Sequence, residues 1–227
     1  MHANYSSELK SAFVLGDEEL RKLSRLLSER IGGVEYSAQC SDDVARTFTT
    51  LAELVNYENA KASHIRGLCI SARSADYSKS ATIRMSDSKQ RCFSLDIDAR
   101  EDVVARLRAD VLNVVSGMSP WYAAFHQVNF LLILSAVALA LSLARPAGVA
   151  ATRIPISLAV AAIILLGAAG FVLNRLRDRV FPRAVFLIGQ GKARYQHLER
   201  CHWGIGIAFV VSFLAGLVIA VWQWLFA

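Results

Sequence analysis

Charged side chains are scarce in this sequence. Asp, Glu, Lys and Arg make up 19% of the 227 residues, whereas globular proteins carry about 25%. Hydrophobic residues make up 54%, and only 4 prolines and 13 glycines are present. A chain of this composition has ample apolar surface to bury, so it is neither intrinsically disordered nor a low-complexity or collagen-like chain.

Sequence motifs of catalysis are also absent. The chain contains no G-x-S-x-G, H-E-x-x-H or C-x-x-C pattern, which would indicate a hydrolase, a zinc peptidase or a zinc site. The run 189–192 (GQGK) is similar to a phosphate-binding loop. However, Phe186 stands at the earlier glycine position and Ala193 at the Ser or Thr position. We therefore predict no catalytic residue, no metal ligand and no cofactor.

Two acidic residues are the main sequence feature in favour of an enzyme. An enzyme is the least favoured of three hypotheses for the function of this protein. Asp96 and Asp98 alternate along a predicted strand, so both carboxylates point to one face, where they could act as a pair. An ion pair between Asp96 and Arg84 across a hairpin is the simpler explanation. The enzyme hypothesis requires that these aspartates cluster with His64 and Asp42.

The second half of the chain is rich in long apolar runs. Uncharged runs cover residues 121–143, 154–173 and 203–226. Each has the length of about 20 residues that a helix needs to cross a bilayer, and aromatic residues lie at the ends of the first and third runs. We therefore predict a three-span α-helical transmembrane region within residues 118–227, typical of a multi-pass membrane protein.

Basic residues predict how these spans are oriented. The loop over residues 174–202 contains seven Lys or Arg and two acidic residues, whereas residues 145–153 contain two arginines. The positive-inside rule therefore places residues 174–202 in the cytosol. The first ten residues lack the features of a signal peptide. We expect an inner (cytoplasmic) membrane protein with a cytosolic N-terminus and its C-terminus outside.

Residues 1–117 are predicted to form a cytosolic α+β domain, with helices packed on an antiparallel or mixed sheet. Apolar periodicity predicts strands over 9–15, 34–40, 65–73, 80–86 and 92–98, and helices over 17–31, 42–57 and 99–116. In the hairpin over 80–98, Met85 should oppose Phe93 and Ile83 should oppose Leu95. A slip by one residue would mix the apolar and polar faces.

The 174–202 loop supplies a predicted anion-binding set. The partner that we expect is the anionic lipid headgroups of a bilayer; an acidic patch of the chain's own domain and a nucleotide or nucleic acid are alternatives. Residues 1–120 carry a net charge of −1 and residues 121–227 of +7, which does not favour nucleic acid. The set comprises Arg175, Arg177, Arg179, Arg183, Lys192 and Arg194.

Within the same loop, residues 181–188 (FPRAVFLI) are apolar but too short to cross a membrane. Pro182 prevents a regular continuation of the helix before it. We predict that this segment lies either at the membrane interface or against the α+β domain.

Small residues recur at helical spacing in the third predicted span. Such stripes allow close helix packing and predict a homo-oligomer. The predicted helix-packing residues are Gly204, Ala208, Ser212, Gly216 and Ala220, with Gly167 and Gly170 in the second span.

Polar residues near the start of the first span form a candidate polar path: His126, Gln127 and Asn129. At such a depth, polar groups either form interhelical hydrogen bonds or line a wet cavity.

These observations favour a non-enzymatic protein. Its cytosolic domain would bind a protein or small-molecule signal, and its spans would self-associate to perturb or permeabilise the membrane. The layout of a small α+β module fused to a few spans resembles that of membrane-acting effectors of microbial defence systems, which implies such a role. The alternative is a non-conducting anchor or scaffold that recruits a cytosolic partner.

Overall fold

The computed structural model describes residues 2–88, 91–127, 129, 131–132, 135–136 and 156–204. The strands are β1 His2–Leu9, β2 Phe13–Leu15, β3 Gly33–Cys40, β4 Ala45–Phe48, β5 Ile65–Arg73, β6 Ser80–Ser86, β7 Phe93–Arg100 and β8 Ala184–Phe186. The α-helices are α1 Asp17–Arg30, α2 Leu51–Val55, α3 Glu101–Gly117, α4 Ile156–Val180 and α5 over 191–204. Short 3-10 helices cover Lys61–Ser63 and Trp121–Gln127.

The main sheet is antiparallel and has six strands in the order β1-β7-β6-β5-β3-β4. Helices α1 and α3 pack against each other and against this sheet. Apolar side chains at helical spacing, such as Leu20, Leu23 and Leu27, are fully buried between them. The prediction of an antiparallel or mixed sheet with helices is confirmed, and the structure shows the antiparallel arrangement.

The central hairpin has the predicted register. Met85 pairs with Phe93 and Ile83 with Leu95, and all four side chains are buried. This register puts every apolar side chain of both strands on the helix-covered face. The opposite face carries small polar side chains, and Ser37, Cys69, Arg84 and Ser94 lie side by side across four strands.

The predicted helix over 42–57 is wrong in its first half. Asp43 adopts a left-handed backbone with φ of 60° in a turn that leads into β4. Helix α2 begins only after Thr50, whose hydroxyl accepts a hydrogen bond from the Glu53 N–H at 3.2 Å. Phe48 fits a helical period and a strand period equally well, and pairing with β3 decides between them.

The N-terminal strand β1 was also absent from the prediction. It pairs along its full length with β7 at the edge of the sheet, and only one of its faces is partly buried. Its sequence, HANYSSEL, has too few apolar residues to show a strand period.

The apolar segment 181–188 lies against the α+β domain, which is one of its two predicted locations. Strand β8 pairs in parallel with β2. Phe186 and Ile188 are buried in the core of the domain, and the ring of Phe186 meets that of Phe13 edge-on with centroids 5.7 Å apart.

The predicted three-span transmembrane region is wrong. In the ranges that the structure describes, no helix is long and apolar enough to cross a membrane. Residues Trp121–Gln127 form a 3-10 helix where a span should begin, and α4 runs on past residue 173 into a charged end. Most of the runs 121–143 and 203–226 lies outside the described residues.

The multi-pass inner-membrane location, with the N-terminus inside and the C-terminus outside, is therefore wrong too. The prediction took the spans from hydropathy and their orientation from the basic residues of the loops. Hydropathy counts the apolar residues of a run, but it does not report the backbone that they adopt or the residue at which the helix ends.

Candidate functional site

A cavity of about 470 Å³ lies where the returning segment 181–198 meets the start of β5. The Lys61–Ser63 turn and β5 supply one wall, and the end of α4, β8 and α5 supply the other. Its charged and titratable lining residues are Lys61, His64, Arg66, Asp87, Asp178, Arg183 and Arg194. Tyr195 and Leu198 contribute a less polar wall. We call it the junction cavity.

Asn59 holds the two walls together. Its side chain is 1% exposed, and its amide nitrogen donates to the carbonyls of Phe186 at 3.4 Å and Ile188 at 3.0 Å. Its amide oxygen accepts from the Ile65 N–H at 2.8 Å. These hydrogen bonds join the start of β5 to the returning segment.

The glycines of residues 189–192 serve close packing. A Cβ on Gly189, which has φ of 49°, would overlap the carbonyl oxygens of Tyr57 and Glu58. A Cβ on Gly191 would overlap the carbonyl oxygen of Phe186. The N–H groups of residues 190–192 donate to protein carbonyls, so this loop presses against the domain and does not resemble an open phosphate cradle.

Arg183 is a largely buried cation of the junction cavity, with its side chain 15% exposed. One terminal nitrogen lies 3.9 Å from the carboxylate of Asp178, which Arg177 also contacts at 3.0 Å. The Arg183 Nε is fully buried and has no hydrogen-bond partner among the described residues. A buried donor in this state is costly.

Two other cations of the cavity have hydrogen-bond or ion-pair partners in the domain. Arg66 pairs with Asp87 at 3.2 Å, and both side chains are about half exposed. Arg194 donates to the backbone carbonyl of Asn59 at 2.8 Å, and burial lowers the pKa of its guanidinium. Four Lys and Arg side chains therefore line the cavity against two carboxylates, a net positive site.

Comparison with known protein families, curated proteins and solved structures finds no match to this chain.

The six predicted anion-binding residues do not form one patch. Lys192 pairs with Asp17 on α1, an acidic partner in the chain's own domain. Arg183 and Arg194 line the junction cavity, and Arg177 lies against Asp178. Arg175 and Arg179 are exposed on α4. Binding of anionic headgroups stays a prediction.

Two of the three candidate polar-path residues can be placed. Both ring nitrogens of His126 are buried without a hydrogen-bond partner in the described part of the chain. Burial lowers the pKa of His126, and Arg183 and Arg177 add to this effect. Asn129 accepts a hydrogen bond from the Leu131 N–H at 3.1 Å. The side chain of Gln127 lies outside the described residues.

The predicted packing stripe is described only in part. Gly170 is buried beside Leu131, whose Cδ1 would lie 3.0 Å from an added Cβ. Gly167 and Gly204 have open space where a Cβ would lie. The remaining members, Ala208, Ser212, Gly216 and Ala220, lie outside the described residues.

The enzyme hypothesis gains no support from the aspartates. Asp96 accepts from Ser6 and Arg84 at 2.7 and 3.1 Å, as the simpler explanation expected. Asp98 lies 3.1 Å from His2. His64 lies at the junction cavity, and the described residues contain no group of three or more His, Cys, Asp or Glu that could hold a metal.

Sequence reasoning missed Asn59, which organises the junction cavity. One weak signal was available: asparagine tolerates the left-handed backbone better than other non-glycine residues, and Asn59 has φ of 50°. Nothing in the sequence indicated that its amide would meet residues more than 120 positions away.

Proposed function

We propose that this protein is a non-enzymatic signal-binding protein. Its α+β domain binds a ligand in the junction cavity. Ligand binding shifts the conformational equilibrium of the apolar region between residues 121 and 180. That region self-associates, so occupancy of the cavity controls the assembly of several copies.

The observation that carries this proposal is the way both ends of the apolar region attach to β2. The Val14 N–H donates to the carbonyl of Met118 at 2.9 Å, where the chain leaves α3. The Phe13 N–H donates to the carbonyl of Arg183 at 2.8 Å, where the chain returns. Movement at either attachment therefore acts on the same strand.

The cavity lies directly beside the return point. Arg183 supplies a backbone carbonyl to β2 and a side chain to the cavity. Asp178, on the last turn of α4, lines the same cavity. A ligand that contacts these side chains binds with different affinity when α4 changes its position. Such a difference in affinity between two conformations is required for any ligand-driven shift.

Exposed apolar side chains on α4 support self-association. Leu165 is 70% exposed, and Ile164 and Phe171 are exposed to a similar extent. Large contiguous patches of exposed apolar surface mark interaction sites. A second copy of the same helix would cover this surface.

The proposal is tested by reversing the charge of the cavity rim. In a Lys61→Glu, Arg66→Glu double variant, hydrogen exchange in the last turns of α4 should change, since Asp178 lies across the cavity. Arg21→Glu with Arg25→Glu, two exposed positions on α1, is the matched control. Replacing residues 117–120 with a long Gly/Ser linker should reduce the transmitted change.

Unchanged exchange in α4 of the folded rim variant would contradict coupling between the cavity and the apolar region. Equal changes in the rim variant and in the α1 control would also contradict it, because net charge alone would then explain the effect.

A scaffold that recruits a partner is the second candidate, and the polar face of the sheet favours it. Partly exposed Ser, Cys and Arg side chains form a shallow concavity of about 450 Å³ on that face. Arg84→Glu at its centre should abolish recruitment, whereas the rim variant above should leave it intact.

A further inference from the structure

We infer that the junction cavity binds a small molecule that carries a phosphomonoester beside an apolar or planar body. This inference rests on the proposed function, because it names the class of ligand for the same site. It follows from the donors that the cavity leaves available, from its size and from its less polar wall.

The first argument is the set of donors. Asp87 already pairs with Arg66, and Asp178 with Arg177 and Arg183. The Arg183 Nε nevertheless stays buried without an acceptor in the described part of the chain. The Arg183 side chain lines the cavity and is 15% exposed, and guanidinium groups bind phosphate through short, charge-assisted hydrogen bonds.

The second argument is Arg194. Its guanidinium makes one hydrogen bond to a neutral carbonyl, that of Asn59, and among the described residues it has no ion-pair partner. Two arginines therefore line one cavity: Arg194 has no charged partner in the described part of the chain, and Arg183 lies 3.9 Å from a carboxylate that it shares with Arg177. A dianion suits this pair better than a monoanion does, because each arginine gains a charged acceptor.

The third argument is size and shape. A volume of about 470 Å³ falls within the range of about 300 to 1,000 Å³ that is typical of small-molecule sites. Tyr195, Leu198 and Pro182 supply surface for an apolar or planar group.

Phenyl phosphate is the probe that combines these features, and benzenesulfonate has a similar shape with a single charge. Isothermal titration of the full chain should show binding of phenyl phosphate at least about tenfold tighter than that of benzenesulfonate. Arg183→Gln and Arg194→Gln should each weaken phenyl phosphate binding about tenfold. Arg25→Gln, an equal loss of charge on α1, should change it less than twofold.

Lys61→Gln keeps the test decisive if the buried arginine variants fail to fold. Lys61 is exposed at the rim, so the variant should fold and bind phenyl phosphate a fewfold more weakly. Equal affinity for phenyl phosphate and benzenesulfonate, or unchanged affinity in folded Arg194→Gln and Lys61→Gln, would overturn the inference.

The same phosphate chemistry occurs in soluble metabolites and in lipid headgroups. Dihexanoyl phosphatidic acid competes with phenyl phosphate if the cavity accepts a phosphomonoester with acyl chains, and dihexanoyl phosphatidylcholine should not compete. Competition by phosphatidic acid identifies the lipid source. Its absence, with phenyl phosphate bound, identifies a soluble ligand.

This experiment separates the two proposals. Binding of phenyl phosphate with no change in α4 hydrogen exchange would support the ligand class and contradict the signalling function. No binding, together with transmitted exchange changes in the rim variant, would contradict the ligand class and support the coupling.

Discussion

The α+β domain and helix α4 place similar apolar side chains in opposite environments. In the domain, apolar residues alternate with polar ones, and side chains such as Leu23 and Ile83 are fully buried. In α4, apolar residues follow one another without a polar face, and Leu165 is 70% exposed. Apolar content alone therefore does not produce a core, because a core needs a patterned face with a partner element opposite it.

The first part of the returning segment, residues 181–188, includes side chains that are buried like the apolar residues of the α+β domain. Its apolar residues are as close together as those of α4, yet Phe186 and Ile188 are buried. The difference lies in the backbone: β8 pairs with β2, and Asn59 binds two of its carbonyls. Contacts with partner segments, and not hydropathy, therefore determine which apolar residues are buried.

The largest expected effect is the loss of stability when a buried leucine of the domain, and not an exposed leucine of α4, is truncated. Leu23→Ala should lower the free energy of unfolding by about 2 to 5 kcal/mol, because it leaves a cavity in a close-packed core. Leu165→Ala makes the same chemical change on an exposed surface and should cost less than about 0.5 kcal/mol. Urea denaturation, read by circular dichroism, measures both.

The order of the two effects should reverse when self-association is measured by analytical ultracentrifugation. Leu165→Ala should weaken self-association, whereas Leu23→Ala should not while it remains folded. A cost of several kcal/mol for Leu165→Ala in a monomeric sample would show that α4 packs against its own chain.

The second prediction tests whether the returning segment is part of the packed domain. Gly191→Ala should cost about 1 to 3 kcal/mol, the usual cost of overpacking, since the added Cβ would overlap the Phe186 carbonyl. The control is Gly117→Ala on α3, where nothing lies within 4 Å of an added Cβ. There alanine should be neutral or slightly stabilising.

If both glycine variants unfold at the same urea concentration as the wild-type protein, Gly191 does not pack against the Phe186 carbonyl and the Asn59 amide in solution. Thermal unfolding of the two variants side by side is sufficient to decide.

The smallest expected effect concerns pH at the boundary between the two regions. The folded-state pKa of His126 lies below its ordinary value, mainly through burial. As the pH falls through about 6.5, the unfolded chain binds a proton that the folded chain resists, so stability falls. His126→Phe should therefore lose less thermal stability between pH 7 and pH 5 than the wild-type protein.

The control for this effect is His197→Phe, because His197 is exposed on α5. This variant should follow the wild-type pH profile. A His126→Phe profile parallel to that of the wild-type protein would mean that His126 takes up its proton equally well in both states.

Local pattern was sufficient for much of the α+β domain. The register of β6 against β7 follows from alternation, because only one register buries Ile83, Met85, Phe93 and Leu95 together. Alternation was insufficient for β1, whose partner lies some 90 residues away. It also failed at Phe48, where helical and strand periods coincide.

The junction cavity shows the limit of local pattern more clearly. Arg183 was identified from the sequence as a basic residue of an anion-binding set. Its burial beside Asp178 and its place next to β2 depend on the fold. Asn59 carried almost no local signal, because two of its three side-chain hydrogen bonds reach carbonyls that are distant in sequence, and only the third, to Ile65, is local.

The sequence by itself determined a sheet packed with helices, the central hairpin register and the concentration of positive charge after residue 120. Each depends on periodicity or composition, which are local properties. Only the tertiary structure decided that segment 181–188 is part of the core, that residues 189–192 press against the domain, and that no described helix meets the requirements of a membrane span. These depend on which distant surfaces meet, and hydropathy along the chain does not contain that information.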